Sequence, residues 1–164
     1  MSAKTRSTLM RMGILILFIF ICLGVGWAGS QVSPGNGSSQ WYEQLNKPDW
    51  NPPGWLFGPV WTALYIMMAI AAWRIWKKSG FSGGATELSV FTFQLILNGL
   101  WSFLFFGLQN PGLAFIEIIL LLATIIATAY LFFQKDRIAG WLMAPYILWV
   151  TFATVLNGTI WVIN

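Results

Sequence analysis

Histidine is absent from this chain of 164 residues, and cysteine occurs once, at Cys22. Without histidine, the chain lacks the commonest general base and the commonest axial ligand of haem iron. A single cysteine excludes an intramolecular disulfide and any zinc or iron–sulfur site built from several thiolates. The sequence therefore predicts no metal site, no catalytic residue and no required cofactor.

Charge is also scarce, because only 9% of the residues are charged, whereas 57% are hydrophobic and the mean hydropathy is +0.69. Such a composition is typical of an integral membrane protein. A helix needs about 20 apolar residues to cross the hydrocarbon core. The length thus predicts a handful of spans and a single transmembrane domain over residues 1–164.

Long apolar runs bounded by turn residues predict an all-α bundle of five transmembrane helices. They cover about residues 10–28, 55–76, 88–108, 112–133 and 138–162. Turn residues at 79–84 and at Asn110-Pro111-Gly112 separate neighbouring runs. The first run exceeds the usual apolar core of a signal peptide, so we interpret it as a span.

Basic residues orient the predicted bundle. Eight of the nine fall on one side: Lys4, Arg6, Arg11, Arg74, Lys77, Lys78, Lys135 and Arg137. The positive-inside rule then puts the N-terminus in the cytoplasm and the C-terminus outside, together with the loop 29–54. The net charge of +4 reflects this topology, and no nucleic-acid partner is predicted.

A polar segment from Trp41 to Trp55, at the end of the outer loop 29–54, contains several prolines and tryptophans. These are Trp41, Pro48, Trp50, Pro52, Pro53 and Trp55. Proline fixes φ and prevents helix continuation, while tryptophan rings favour the membrane interface. The segment is predicted to fold back over the bundle as a lid.

Polar and aromatic residues share one face on each of three predicted spans. The faces comprise Trp61, Tyr65 and Met68, then Gln94, Asn98, Trp101 and Phe105, then Tyr146, Trp149, Ala153 and Asn157. They converge beneath the lid, about 8–9 Å from the span ends for Trp61, Trp101 and Asn157. An aromatic cavity with a few amides suits a large planar apolar ligand. For any single residue, helix packing is an equally good explanation.

Other intramembrane residues leave alternatives open. Glu117, the only acid within a span, could act in a proton relay, bind a ligand, or be protonated or hydrogen-bonded to a neighbouring helix. A relay is the weaker alternative, since no second acid or base lies beside it. Tryptophans near span ends are better explained by the interfacial belt. These are Trp27, Trp73, Trp76, Trp141 and Trp161.

Several separated motifs resemble the translocator protein family, also called tryptophan-rich sensory proteins (TspO/MBR). The matching residues are Trp41-Tyr42, Leu45, Lys47-Pro48, Trp50, Pro52-Pro53, Gly58-Pro59, Trp61 and Leu64-Tyr65, then Gln94, Leu97-Asn98, Trp101 and Phe105-Phe106-Gly107, then Pro145-Tyr146, Trp149, Phe152-Ala153-Thr154, Leu156-Asn157 and Trp161. The resemblance extends from the outer loop to the C-terminus, and the first span is its least diagnostic part.

This resemblance implies a five-helix bundle, usually a homodimer in the lipid bilayer, that binds porphyrins such as protoporphyrin IX and haem, and isoquinoline-type drugs. By position, the family pocket corresponds to Tyr42, Pro52, Trp61, Tyr65, Asn98, Trp101, Trp149 and Ala153. The shared face of the fifth span adds Asn157. The cholesterol-recognition pattern of animal members falls on Gly158 and Val162, which lack its aromatic ring and its charge. Cholesterol binding is therefore not expected, and a bacterial-type member of the cell membrane is predicted.

Two functions fit the sequence. The first is a receptor or transporter-like protein that binds porphyrins in tetrapyrrole traffic or stress sensing. The second is an enzyme-like protein that degrades bound porphyrin in the light with the help of pocket tryptophans. The absence of histidine and of nucleotide motifs favours binding, and costly intramembrane amides disfavour a purely structural scaffold.

Overall fold

The computed structural model describes residues 3–34 and 39–164, which form helices joined by short connections. The elements are α1 (Ala3–Ser30), α2 (Ser39–Gln44), α3 (Gly54–Gly83), α4 (Ala85–Ser102), a π-helical segment (Phe103–Gly107), α5 (Pro111–Lys135), α6 (Arg137–Leu142) and α7 (Ala144–Ile163). This part of the chain contains no β-strand. Five helical stretches are long and apolar enough to cross a membrane, which confirms the predicted fold class.

Helices differ from the prediction in several places, and the first is α1, which begins at Ala3 and not near residue 10. Helix α3 runs through the expected break at 79–84, and the chain bends at Gly80, whose φ of 68° favours glycine. The fifth span is divided at Met143, just before Pro145, into α6 and α7. The loop 29–54 contains the short helix α2, which the sequence pattern did not indicate.

Small residues let the helices pack closely at one end of the bundle. Ala69, Ala71 and Ala72 of α3 and Ala139 of α6 are fully buried. Helix α3 contacts both α1 and α6. Small side chains allow helix backbones to approach, so this region of the bundle is closed.

Charged residues join the same helices beyond the alanines, and we call this region the charged end. Arg74 of α3 forms a bidentate pair with Asp136, at 2.8 and 3.1 Å from its Nη2 to the two carboxylate oxygens. Asp136 also caps α6 by accepting the backbone N–H groups of Ile138 and Ala139. Burial raises the pKa of Asp136, but the hydrogen bonds from Arg74 and α6 outweigh burial and lower it below its usual value.

Lys135 ties α5 to the turn between α3 and α4. Its Nζ lies 3.4 Å from a carboxylate oxygen of Glu87 and donates to the backbone oxygen of Gly83 at 2.7 Å. Lys78 in turn donates to the backbone oxygen of Lys135. These contacts fix the helix ends relative to one another at the charged end.

The opposite end, which we call the lid end, is covered by the lid segment, residues 39–53. Its rings pack edge-to-face on the bundle, with centroid distances of 5.7 Å for Trp41 and Phe105, 5.6 Å for Tyr42 and Phe106, and 5.9 Å for Trp50 and Phe152. Burial raises the pKa of Tyr42, against the opposing effect of its hydrogen bond to Asn51. Aromatic contacts therefore join the lid segment to the π-helical segment and to α7.

Candidate ligand-binding site

A cavity of about 780 Å³ lies beneath the lid segment, at the lid end of the bundle. Its volume falls within the usual range of small-molecule sites, about 300–1,000 Å³. All nine residues predicted from the sequence line this one cavity: Tyr42, Pro52, Trp61, Tyr65, Asn98, Trp101, Trp149, Ala153 and Asn157. Their convergence is observed, whereas their contact with a ligand stays a prediction.

Aromatic rings form the cavity walls and fill the space between α3 and α7. Phe57 meets Trp149 at a centroid distance of 5.7 Å, and Trp61 meets Tyr146 at 6.1 Å, both edge-to-face. On α4, the Trp101 ring is stacked on Phe105 at 5.1 Å, with an angle of 24° between the rings. These indole and phenyl faces border an apolar volume suited to planar ligands.

A chain of buried hydrogen bonds crosses the bundle below the cavity. The Tyr65 hydroxyl donates to Asn98 Oδ1, and Asn98 Nδ2 donates to the Tyr146 hydroxyl at 2.8 Å. The Tyr146 hydroxyl then donates to Gln94 Oε1 at 3.1 Å. All four residues are buried, so the chain satisfies polar groups that would otherwise be costly. It joins α3, α4 and α7 at a fixed depth.

Asn157 makes a second polar connection, between α4, α7 and the start of α5. Its Oδ1 accepts the indole N–H of Trp101 at 3.0 Å, and its Nδ2 donates to the backbone oxygen of Pro111 at 2.8 Å. Both Asn157 and Asn98 border the cavity, but each amide already bonds to protein groups. Helix packing therefore accounts for both amides, and Asn157 also orients the Trp101 ring.

Trp149 lines the cavity and carries a buried donor without a partner. Its Nε1 is buried and makes no hydrogen bond within the described residues. A buried donor left unpaired costs about 1–3 kcal/mol, so an acceptor placed beside it gains that interaction. Trp149 lines the cavity, but its Nε1 is covered by protein, so a ligand reaches this donor only when the indole ring turns.

Glu117 carries the other unpartnered buried groups. Both carboxyl oxygens lack a hydrogen-bond partner in the described part of the chain, and the residue is 8% exposed. Glu117 does not line the cavity, although its neighbours Ile118 and Leu121 do. Among the described residues, no three acidic or cysteine side chains come together as a metal site.

Sequence reasoning missed the contribution of α1 to the cavity. Gly26 and Gly29 of α1 line it, and a Cβ atom at Gly26 would collide with the ring of Tyr65. Trp27, interpreted as a belt residue, lies at the cavity and is 68% exposed. Because α1 is apolar on all faces, periodicity could not reveal which face meets the bundle.

Comparison with known proteins identifies the family of this chain. Residues 18–162 match the TspO/MBR family. The chain is 44% identical to the Tryptophan-rich protein TspO of Chlorobaculum tepidum, with 92% of this chain and 95% of that protein covered. It is 38% identical to the Tryptophan-rich sensory protein of Cereibacter sphaeroides (88% and 87% covered) and 37% identical to the Translocator protein of Homo sapiens (82% and 80% covered).

These matches cover most of the chain at an identity that is decisive for family membership. They agree with the family that the sequence motifs resemble and with the five apolar helices of the structure. The chain is an integral membrane protein and belongs to the TspO/MBR family.

Proposed function

We propose that this protein binds porphyrins, such as protoporphyrin IX or haem, in the cavity beneath the lid segment, and acts as a receptor or transporter-like protein in tetrapyrrole traffic or stress sensing. The observation that carries the proposal is the aromatic cavity of about 780 Å³, which Trp149 lines and whose walls leave the buried Trp149 N–H without a partner among the described residues. Flat rings stack on a planar macrocycle, while the indole N–H donates to a carboxylate or carbonyl oxygen. Relatives named for sensing and translocation support the role.

A titration of purified protein with protoporphyrin IX, followed by quenching of tryptophan fluorescence, tests the proposal. Trp149→Phe keeps an aromatic ring but loses the N–H, so its affinity should fall several-fold, about 1 kcal/mol. Trp141→Phe is the matched control, because Trp141 is 67% exposed and lies in α6, away from the cavity. Equal affinity of both variants would contradict a role for the Trp149 donor, and absence of saturable binding would contradict the function.

Isoquinoline-type ligands should occupy the same cavity, since it offers one continuous aromatic volume. The two kinds of ligand should therefore compete for this one cavity. An isoquinoline-carboxamide should displace protoporphyrin IX completely in an equilibrium titration. Additive binding of both ligands would contradict a shared site.

A second candidate function is light-dependent degradation of bound porphyrin. It is favoured by the position of Trp61, Trp101 and Trp149, whose indole rings all border the cavity. Overall, dioxygen would add its two oxygen atoms across one methine bridge, whose carbon–carbon bond breaks to give two carbonyl groups. An indole would lend one electron to the excited porphyrin and regain it as this product forms. Illuminating the complex decides between the candidates: loss of absorbance with a new product supports degradation, and stable absorbance supports binding alone.

For the orientation, we propose a cytoplasmic charged end and a lid end on the opposite side of a bacterial cell membrane, because most basic residues lie at the charged end. Gln40→Cys in α2 and Ser82→Cys beside Gly84 give exposed thiols at the two ends in a Cys22→Ala background. A membrane-impermeant reagent on intact cells should label position 40 and not position 82.

We also propose a homodimer, which chemical crosslinking in the membrane would test.

A further inference from the structure

The side chain of Asn164 holds the lid segment by its backbone. Asn164 Oδ1 accepts the backbone N–H of Asn46 at 2.8 Å, and Asn164 Nδ2 donates to the backbone C=O of Asn46 at 3.0 Å. One amide thus pairs with both backbone polar groups of one residue, as a neighbouring strand would. The same Nδ2 donates to the backbone oxygen of Ile160 at 2.8 Å, which fixes the amide to the last turn of α7.

Asn46 occupies the middle of the lid segment. On its N-terminal side, α2 carries Trp41 and Tyr42 onto the π-helical segment. On its C-terminal side, the chain continues to Trp50, which packs on Phe152 of α7. A bond at Asn46 therefore restrains both halves of the lid segment at once.

The contact between Asn46 and Asn164 is exposed and weak, so it can open readily. Both residues are exposed, so water competes for their hydrogen bonds and the net contribution of each bond is small. A smaller cavity of about 400 Å³ lies beside it. Its lining residues are Trp41, Leu45, Gln109, Asn110, Pro111, Gly112, Trp161 and Asn164. The lid segment thus borders unfilled space on the side of Asn164, while Trp41 and Leu45 also pack on the cluster that contains Ala114.

We propose that Asn164 is a latch that keeps the lid segment closed over the large cavity, and that its release is the step that admits and frees the ligand. The identity of the ligand rests on the proposed function, whereas the latch is a property of the lid segment itself. Asn164 does not line the large cavity. Removing its amide should therefore speed association and dissociation by similar factors and leave the Kd nearly unchanged.

The first experiment follows lid opening without any ligand. Ala114→Cys, in a Cys22→Ala background, puts a thiol at a fully buried position in the cluster against which Trp41, Tyr42 and Leu45 pack. Its reaction rate with a maleimide is then measured on purified protein in nanodiscs. Asn164→Ala should raise this rate about tenfold, the factor that corresponds to losing two exposed hydrogen bonds.

Three further variants make the test specific. Asn164→Asp keeps the acceptor oxygen and loses the donor, so its labelling rate should be intermediate. Val162→Ala, in the same turn and 80% exposed, should label like the parent protein. Asn46→Ala should also label at nearly the parent rate, because the latch uses the backbone of Asn46 and only a 3.4 Å contact from its side chain to Ile163 is lost.

Stopped-flow mixing with protoporphyrin IX then measures both rate constants in the same variants. A parallel rise of both constants in Asn164→Ala supports the latch as the step that controls exchange. Equal labelling rates for Asn164→Ala and the parent protein would overturn the latch. Faster labelling of Asn164→Ala, with no porphyrin binding in any variant, would support the latch and overturn the proposed function.

Discussion

The charged end and the lid end of the bundle show two ways to join the same helices. At the charged end, buried alanines let α3 pack closely against α1 and α6, and an ion pair joins Arg74 to Asp136. At the lid end, ring pairs such as Phe57 with Trp149 stand between α3 and α7, and a cavity of about 780 Å³ lies among the rings. Side-chain size along α3 thus determines where the bundle is closed and where it is hollow.

This difference separates stability from binding. Contacts at the charged end hold helix ends together without bordering the cavity, so changes there should alter unfolding and leave ligand affinity per folded molecule intact. Changes to the rings at the lid end should lower ligand affinity per folded molecule, in addition to any loss of stability. Measuring both quantities on each purified variant tests the division directly.

The largest effect on stability is expected from Arg74→Ala. It leaves Asp136 partly buried without its guanidinium partner, and the two side chains are only 29% and 14% exposed. Fully buried pairs lose about 3–5 kcal/mol on such truncation and exposed pairs about 0–1, so the free energy of unfolding should fall by about 1–3 kcal/mol. Denaturant titration measures it, with the exposed Arg137→Ala as control. A matching loss of porphyrin affinity per folded molecule would contradict the division.

Trp101→Ala should have the largest effect on binding. It removes the ring stacked on Phe105 and the N–H bonded to Asn157, so porphyrin affinity should fall about tenfold. Trp101→Phe should be milder, because it keeps an aromatic face. Trp141→Ala at the charged end serves as the control. If Trp101→Ala only lowers the melting temperature and binds as tightly per folded molecule, then Trp101 is a packing residue.

Acid should weaken the charged end selectively. Because the pKa of Asp136 is lowered in the folded state, its stabilising contribution is fully present above the unfolded value, about pH 4, and is lost as pH falls through the folded pKa. The melting temperature of the parent protein should therefore drop below about pH 4 by more than that of Asp136→Asn. Identical pH profiles for the two proteins would show that the carboxylate of Asp136 contributes no pH-dependent stability.

The smallest difference is expected between haem and metal-free porphyrin. Among the described residues that line the cavity there is no histidine, cysteine or methionine, and the hydroxyls of Tyr65 and Tyr42 already donate to Asn98 and Asn51. Haem iron would therefore gain no strong axial ligand, so protoporphyrin IX should bind at least as tightly. Clearly tighter haem binding with a six-coordinate spectrum would contradict this.

Sequence patterns predicted the helices and the cavity faces because both depend on periodicity within one helix. Tyr65, Asn98 and Trp149 could be assigned to inward faces in this way. Their partners could not be predicted, since partners depend on how helices rotate against one another. Thus the bond of Asn157 to Pro111, the free N–H of Trp149 and the proximity of Gly26 to Tyr65 emerged only in three dimensions.

In the π-helical segment Phe103–Gly107, the number of residues determines where the aromatic rings face, as well as which residues are present. Its turn is closed by a bond from the Leu108 N–H to the Phe103 oxygen at 2.8 Å, and so contains one residue more than an α-helical turn. A variant lacking one of these five residues could close the same turn as a regular α-helix, and the residues that remain within the turn would then be redistributed over its faces. Phe105 and Phe106 could then no longer both face Tyr42. Single-residue deletions in this segment should thus unseat the lid segment even when every aromatic ring is retained.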